Sequence, residues 1–265
     1  MITERSHERK DIEYHAVIAA EYDAVVVEPR RYSIDALFRP VRRWLPRNRA
    51  AMLDLGCGTG HMLCRYGTGF ARIVAVDHSR EMLASARENA RRSGLAQVEF
   101  NQADAFDFLR SWRGEKFDLI TCVGFLHHLE QRRIAEIFGL IADTLDDTGL
   151  FVFAEPVETA HREPGAIAWW NASFRAQSHD YTHAVEDPDE APLEVDRLRA
   201  DARCAGLRIM HEGRGWEIFP RHEPARFSDR LAIPVLHALF GANGPVYWAA
   251  CRRAAAQGAR KSSAA

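Results

Sequence analysis

The sequence lacks an excess of charge of either sign and lacks long apolar runs. Its 265 residues include 35 basic and 37 acidic side chains, for a formal net charge of −2 at pH 7. A general nucleic-acid-binding protein usually carries a basic excess or a basic face. No stretch approaches the ~20 apolar residues that a membrane-spanning helix needs. We therefore expect neither a nucleic-acid nor a membrane partner. The net charge does not exclude a local basic patch.

The sequence also lacks paired cysteines. Its five cysteines are scattered and contain no Cys-x-x-Cys motif, which suits a reducing compartment better than a disulfide framework. Residues 1–30 are rich in charge and show no apolar core of a signal peptide. The sequence predicts a cytoplasmic protein, and it says nothing about oligomeric state.

What the sequence does have is an alternation of short apolar runs and amphipathic stretches from Ala51 onward. This pattern is typical of β-α-β units that build a parallel sheet. The predicted strands are 51–55, 73–76, 98–100, 117–122, 150–154, 207–211 and 246–251. The predicted helices are one capped by Ser79 and ended by Gly94, one over 134–145 that stops at Gly149, and two at 193–205 and 227–240. The fold class is therefore α/β.

A glycine-rich segment, Leu53-Asp54-Leu55-Gly56-Cys57-Gly58-Thr59-Gly60, follows the first predicted strand. Three glycines at a spacing of two let the chain turn tightly, with its backbone close to a ligand. The dinucleotide fingerprint needs its third glycine one place later, where this chain has His61. The spacing therefore argues against a pyrophosphate ligand. The alternative interpretation is that the segment is a tight strand-to-helix turn that binds no ligand.

Three further segments come at predicted strand ends, where ligands of open α/β sheets bind. Asp77 lies 23 residues after Asp54, where a carboxylate binds the hydroxyls of a ribose or caps the next helix. Asp104-Ala105-Phe106 follows the third strand. The fourth strand leads into Phe125-Leu126-His127-His128-Leu129.

In order and spacing, these four elements resemble the class I S-adenosylmethionine-dependent methyltransferases over about Tyr14 to Ala154. The resemblance implies a Rossmann-like seven-stranded sheet that is mostly parallel, with an antiparallel last strand. Residues 1–45, with Tyr14 to Asp23, look like the helical lid that small-molecule members fold over the cofactor. Residues 46–253 are expected to form the methyltransferase domain, with a cap inserted at about 157–192. Residues 254–265 are expected to be a disordered tail.

The resemblance also implies cofactor contacts. The methionine end of S-adenosylmethionine would be held by Asp54, Gly56, Cys57, Gly58 and Gly60. The ribose would bind Asp77, the adenosine would lie against His78 or Met82, and the adenine would meet Asp104 and Ala105. The cofactor's amino group would bind the backbone at Cys122, and Tyr14 and Tyr22 are lid candidates.

Candidate acceptor-side residues lie beyond the fourth and fifth strands. His127 is a candidate general base, because histidine titrates near neutral pH, although a structural role is the alternative. Glu155 is either a substrate contact or a surface acid. An aromatic wall for a ring or a cation, or else packing of the insertion, is expected from Trp169, Trp170, Phe174 and Tyr181. His179 and His183 flank Asp180 without a third spaced ligand, so no metal site is predicted.

These features predict an enzyme that transfers a methyl group from S-adenosylmethionine to a small molecule and releases S-adenosylhomocysteine. An oxygen acceptor is favoured over nitrogen or carbon, and secondary metabolism is the favoured setting. Two alternatives stay open. One is methylation of RNA or protein, suggested by the arginines at 30, 31, 39, 42 and 43. The other is a protein that binds the cofactor without methyl transfer.

Overall fold

The structure is a computed structural model that describes residues 19–20, 22–23, 27, 38–158, 165, 169, 193–215, 234–235, 238–240 and 244–254. Strands and helices alternate along this part of the chain. The strands are β1 (Ala51–Leu55), β2 (Arg72–Asp77), β3 (Val98–Gln102), β4 (Phe117–Val123), β5 (Leu145–Pro156), β6 (Leu207–Gly215) and β7 (Val246–Arg253). The α-helices with defined bounds are α1 (His61–Tyr66), α2 (Arg80–Arg92), α3 (Ala105–Ser111), α4 (Gln131–Thr144) and α5 (Val195–Cys204). Two 3₁₀ turns are Pro40–Arg43 and Leu126–His128.

The seven strands form one sheet in the order β3-β2-β1-β4-β5-β7-β6. The pairs among β1 to β5 are parallel, and β7 runs antiparallel to both β5 and β6. The predicted α/β fold, with its antiparallel last strand, is confirmed. The strand order reverses between β1 and β4, so a crevice opens at their carboxyl ends, where ligands of such sheets bind.

Burial on both faces explains why the central strands are so apolar. All five residues of β1 are buried, and β4 and β5 place phenylalanine and isoleucine on one side of the sheet and leucine and valine on the other. One side packs against α3, α4 and α5. The other packs against α1, α2 and the turn at Pro40–Arg43. This two-sided core holds the carboxyl edge of the sheet in place.

The helix boundaries show which sequence signals were reliable. Ser79 caps α2 by accepting a hydrogen bond from the Met82 N–H at 3.2 Å, as predicted. The prediction of a helix over 134–145 that stops at Gly149 is wrong at the C-terminal end of that helix. Helix α4 ends at Thr144, because Leu145 is extended and pairs with Phe117 of β4. Gly149 lies within β5.

Other predicted segments fall partly or wholly outside the described residues. Strand β6 extends to Gly215, beyond the predicted end at 211, because it pairs along the whole of β7. Most of the predicted helix over 227–240 is not described, although 234–235 and 238–240 are helical. Most of the lid, nearly all of the cap and residues 255–265 are likewise outside, so these domain divisions stay predictions. No helix in the described part of the chain is long and apolar enough to cross a bilayer.

Candidate functional site

The glycine turn after β1 is built from left-handed residues. Gly56, Gly58 and Gly60 have φ values of 64°, 50° and 84°, a region that residues with a Cβ rarely adopt. The Cys57 N–H donates to the Val76 carbonyl at 3.0 Å, and the Gly60 N–H donates back to the Cys57 carbonyl at 2.8 Å. The turn is therefore fixed to the end of β2 and leads directly into α1.

Space around this turn differs sharply between two of its glycines. A Cβ on Gly56 would lie 2.7 Å from the ring of Phe125, in the loop after β4. A Cβ on Gly58 would meet no atom within 4 Å. The turn is thus closed by the protein at Gly56 and open at Gly58, which is the local shape needed for backbone to approach a ligand.

Asp77, at the end of β2, bonds to the same turn. Its Oδ2 accepts from the Gly58 N–H at 2.8 Å, and its Oδ1 accepts from the Ser79 N–H at 2.9 Å. The residue is only partly buried, and each carboxylate oxygen keeps acceptor capacity beyond these two bonds. The carboxylate therefore joins the turn to the start of α2, and it stays accessible to hydroxyl donors.

Asp54 lies beneath the turn and is 2% exposed. Its Oδ1 accepts from the Thr121 hydroxyl at 2.7 Å and its Oδ2 accepts from the Leu63 N–H at 3.0 Å. Burial raises the pKa of Asp54 to about 7, and the charge of Asp77 acts in the same direction against the two hydrogen bonds. Asp54 fixes the first turn of α1 to β4.

We expect Asp54 to make the folded state less stable as the pH rises. A carboxyl whose pKa is higher in the folded than in the unfolded chain stabilises the fold below the unfolded value near 3.8, and loses that contribution as the pH passes about 7. Denaturant unfolding of the wild type and of Asp54→Asn between pH 4 and 8 measures it. The wild type should lose more free energy of unfolding across this range than the variant. Parallel pH profiles would contradict the assignment.

The next strand ends hold the residues proposed for the adenosine. Asp104 caps α3 by accepting from the Phe106 and Asp107 N–H groups, both through Oδ1, at 2.9 and 3.0 Å. Its Oδ2 is not used in these bonds. Met82 is 1% exposed and packs against Ala19 and Tyr22, whereas His78 is partly exposed. Ala19 and Tyr22 therefore cover Met82, and the contact of His78 or Met82 with an adenosine stays a prediction.

Two other residues of the predicted cofactor set are enclosed. Ala105 is 6% exposed and packs in the core that faces α4. Cys122 is fully buried in β4, where it pairs with Phe153. The Cys122 side chain is therefore enclosed, and the predicted contact of its backbone with the cofactor stays a prediction.

The loop after β4 is held by Glu155, near the end of β5. Its Oε1 accepts from the Phe125 and Leu126 N–H groups at 3.0 and 2.9 Å. Its Oε2 lies 2.7 Å from Nδ1 of His127 and 3.4 Å from that residue's N–H. The Glu155 side chain has no exposed surface. The two predictions for Glu155, a substrate contact and a surface acid, are therefore replaced by a structural role. Its buried carboxylate holds the loop after β4.

A family model described as a methyltransferase domain matches residues 47–202. The chain belongs to this family. The match runs from the residues just before β1 into α5, so it covers the glycine turn, Asp77, Asp104 and the loop held by Glu155. The family predicted from the sequence, the class I S-adenosylmethionine-dependent methyltransferases, is confirmed.

Relatives and solved structures agree with the family assignment of this chain. It is 31% identical over 122 residues to a carboxy-S-adenosyl-L-methionine synthase of Wolinella succinogenes, covering 44% of this chain and 49% of that one. It is 35% identical over 81 residues to a ubiquinone biosynthesis O-methyltransferase of Actinobacillus pleuropneumoniae, covering 29% and 34%. The DhpI–SAH complex superposes with a TM-score of 0.60 at 19% identity, covering 94% and 97%. At this identity the superposition shows the fold.

The chain spans only part of the length of the curated relatives it matches. It covers 26%, 49% and 45% of the length of the first three. The activity and the substrate of the whole chain are therefore matters for proposal.

Several predicted residues lie outside the described part of the methyltransferase. They are Tyr14, Trp170, Phe174, Tyr181, His179 and His183. Trp169 is described and is 70% exposed, so it does not pack into the core. Among the described residues, no group of three or more His, Cys, Asp or Glu side chains is placed to hold a metal ion.

Sequence reasoning missed two sets of contacts in the methyltransferase. The first is the anchoring of the loop by Glu155, which needed the pairing of β4 with β5. The second joins Asp23 to Thr59 and Asn89, at the glycine turn and α2. A faint signal for the second was present, because Asn89 is a polar residue seven positions after Met82 on the apolar face of α2.

Proposed function

We propose that this methyltransferase moves the methyl group of S-adenosylmethionine onto a small-molecule acceptor, with oxygen the favoured acceptor atom. The observation that carries the proposal is the joined pair of the open Gly58 turn and the partly exposed Asp77 carboxylate. The pair lies at the carboxyl ends of β1 and β2, next to the point where the strand order reverses. The superposed DhpI structure is a complex with SAH, which supports S-adenosylmethionine as the cofactor in this proposal.

The donors and acceptors of the site match the polar groups of S-adenosylmethionine. That cofactor has a carboxylate, an ammonium, ribose hydroxyls and an adenine, and it has no phosphate. Backbone N–H groups near the start of α1 suit the carboxylate, and the Cys122 carbonyl suits the ammonium. Asp77 accepts from the ribose and Asp104 from the adenine amino group, with His78 alongside. Each assignment uses a strand end that the fold brings to one edge.

Bound S-adenosylmethionine supplies a methyl group activated by a sulfonium. The chain's part is to hold the acceptor in line with that methyl group and, for a hydroxyl acceptor, to take up its proton. His127 is the proposed base. The buried Glu155 carboxylate 2.7 Å from Nδ1 favours the tautomer with its proton on Nδ1. The lone pair then resides on Nε2, the nitrogen that accepts a proton.

The experiment that tests the cofactor is a calorimetric titration of the purified protein with S-adenosylmethionine and S-adenosylhomocysteine, with NAD as the control ligand. We expect micromolar binding of the first two and none of NAD, because the turn lacks the pyrophosphate spacing. S-adenosylhomocysteine formation across a panel of hydroxyl, amine and carbon acceptors then tests methyl transfer. Folded protein that binds neither sulfur ligand would sink the proposal.

Asp77 provides the sharpest variant for the cofactor site. We expect Asp77→Ala to weaken S-adenosylmethionine binding by about 1–3 kcal/mol, the cost of leaving polar ligand groups without their partner. The matched control is Asp143→Ala, which removes an exposed acid from α4. The control should bind as the wild type does. If a folded Asp77→Ala variant bound S-adenosylmethionine as tightly as the wild type does, Asp77 would not be part of the cofactor site.

An exposed arginine cluster favours a second candidate function, methylation of an RNA. Arg39, Arg42 and Arg43 lie on or beside the 3₁₀ turn Pro40–Arg43 and are exposed. Contacts between arginine and phosphate weaken steeply with salt. Transfer to RNA that is lost between 50 and 200 mM salt would favour this candidate over a small-molecule acceptor.

A further inference from the structure

The middle of the glycine turn is held by a side chain from far upstream in the sequence. The Thr59 hydroxyl donates to Oδ1 of Asp23, and the Asn89 side-chain amide donates to Oδ2 of the same carboxylate. The Asn89 amide also donates to the Thr59 carbonyl at 3.0 Å. These three residues, the Asp23 clasp, form a closed ring of hydrogen bonds.

The ring is saturated by its own members. The Asn89 amide has two N–H donors, and it spends one on Asp23 and one on the turn backbone. Both Asp23 oxygens accept a bond within the ring. A buried polar network in which every donor has a partner is rigid and favours one arrangement of its side chains. A partly satisfied network constrains them less.

The turn has reason to need such a clasp. Thr59 is the only residue between Gly58 and Gly60, and both glycines are left-handed. Glycine has the widest range of backbone conformations, so a free turn of this kind loses much entropy when a ligand orders it. Thr59 is itself 2% exposed, so its hydroxyl has the partner that burial requires.

The surrounding contacts keep the clasp in register. Ser85 and Asn89 are four residues apart and lie on one face of α2, and the Ser85 hydroxyl donates to the Ala19 carbonyl at 3.3 Å. Met82, Ala19 and Tyr22 pack together at the same face. A Cβ on Gly60 would lie 3.3 Å from Ala86 on that face as well.

We infer that Asp23 is a positioning residue that preorganises the glycine turn for the cofactor, through Thr59 and Asn89. The inference rests on the proposed cofactor site. Asp23 acts on the shape of the turn, and its charge has no direct part in binding. Fixing a binding loop in its bound conformation raises affinity by lowering the ordering cost.

The test uses pairs of variants matched for shape. Asp23→Leu and Thr59→Val remove the hydrogen bonds of the Asp23 carboxylate and of the Thr59 hydroxyl, and each keeps the branching of the side chain that it replaces. Asp23→Asn keeps an oxygen for Asn89 and an amide that donates to the Thr59 hydroxyl, and Thr59→Ser keeps the hydroxyl. We expect the first two each to weaken S-adenosylhomocysteine binding by about 3- to 10-fold, and the second two to stay within about twofold of the wild type. The double variant Asp23→Leu/Thr59→Val should be no weaker than either single variant.

A readout without ligand separates this inference from the proposed function. Amide hydrogen exchange of a peptide covering the turn should be about tenfold faster in Asp23→Leu and Thr59→Val, and unchanged in Asp23→Asn and Thr59→Ser. If the wild type does not bind the cofactor and Asp23→Leu and Thr59→Val still exchange faster than it does, the clasp stands and the proposed function falls. If the wild type binds the cofactor and these two variants match it in both exchange and affinity, the clasp is overturned. Asp23→Asn as weak as Asp23→Leu would also overturn it, in favour of a direct charge contact.

Discussion

Replacing Glu155 by leucine is expected to lower the free energy of unfolding by about 2–6 kcal/mol, because two amides lose their acceptor and each amide left without a partner costs about 1–3 kcal/mol. The amides are those of Phe125 and Leu126, which donate to Oε1. Leucine has nearly the volume of glutamate and accepts no hydrogen bond. Urea denaturation of the ligand-free protein measures the loss.

The matched control is Glu158→Leu, three residues further along the chain. The Glu158 residue is exposed, so its replacement should change the free energy of unfolding by at most ~0.5 kcal/mol. Similar free energies of unfolding for Glu155→Leu and the wild type would show that water or another group satisfies the loop amides.

A second substitution at Glu155 separates its anchoring role from its effect on His127. In Glu155→Gln the amide oxygen can still accept from Phe125 and Leu126, so most of the stability should remain. The amide N–H₂ then faces Nδ1 of His127, which must act as an acceptor and carry its proton on Nε2. The lone pair proposed to take the acceptor's proton is lost.

The consequence is measurable in two ways. Imidazole ¹⁵N spectra should report a change of the His127 tautomer, whether or not an acceptor is known. With a hydroxyl acceptor in hand, kcat should fall by about 100-fold or more, the usual contribution of a general base. If Glu155→Gln changed the His127 tautomer and kept the kcat of the wild type, His127 would not be the base. Its role would then be structural.

The other large effect is expected at Gly56. An alanine there takes a left-handed conformation that costs about 1–2 kcal/mol, and its Cβ would lie within 2.9 Å of Cβ, Cγ and Cδ2 of Phe125. Those atoms are the base of a ring side chain and cannot swing aside, so relief requires the loop after β4 to move. We expect a total loss of about 2–4 kcal/mol in the free energy of unfolding.

Gly58→Ala is the matched comparison, because it has the same backbone strain and no neighbour to clash with. It should fold with a loss of only about 1–2 kcal/mol. Its methyl group projects into the open space, so it should bind S-adenosylmethionine more weakly than the wild type. Equal free energies of unfolding for the two alanine variants would show that Phe125 yields at no cost.

Local patterns were enough to predict the sheet. The apolar runs of β1, β4 and β5 are continuous because helices cover both faces, and the stripe of α2 repeats at helical spacing because one side is buried. The Ser79 cap was equally legible, since it involves residues three apart. The end of α4 was not, because pairing of Leu145 with Phe117 overrode a helical pattern that continued into the strand.

The sequence by itself determined the fold class, the resemblance of its motifs in order and spacing to a known family, and the chemistry available at each strand end. These depend on local patterns along the chain and on the residue types a ligand needs. Only the tertiary structure decided how the strand ends are connected. Glu155 reaches back to the loop at Phe125, and Asp23 reaches forward to Thr59 and Asn89, over sequence separations of 30, 36 and 66 residues. Such contacts leave no periodic trace, because a single polar side chain meets its partner only where the folded sheet and helices bring them together.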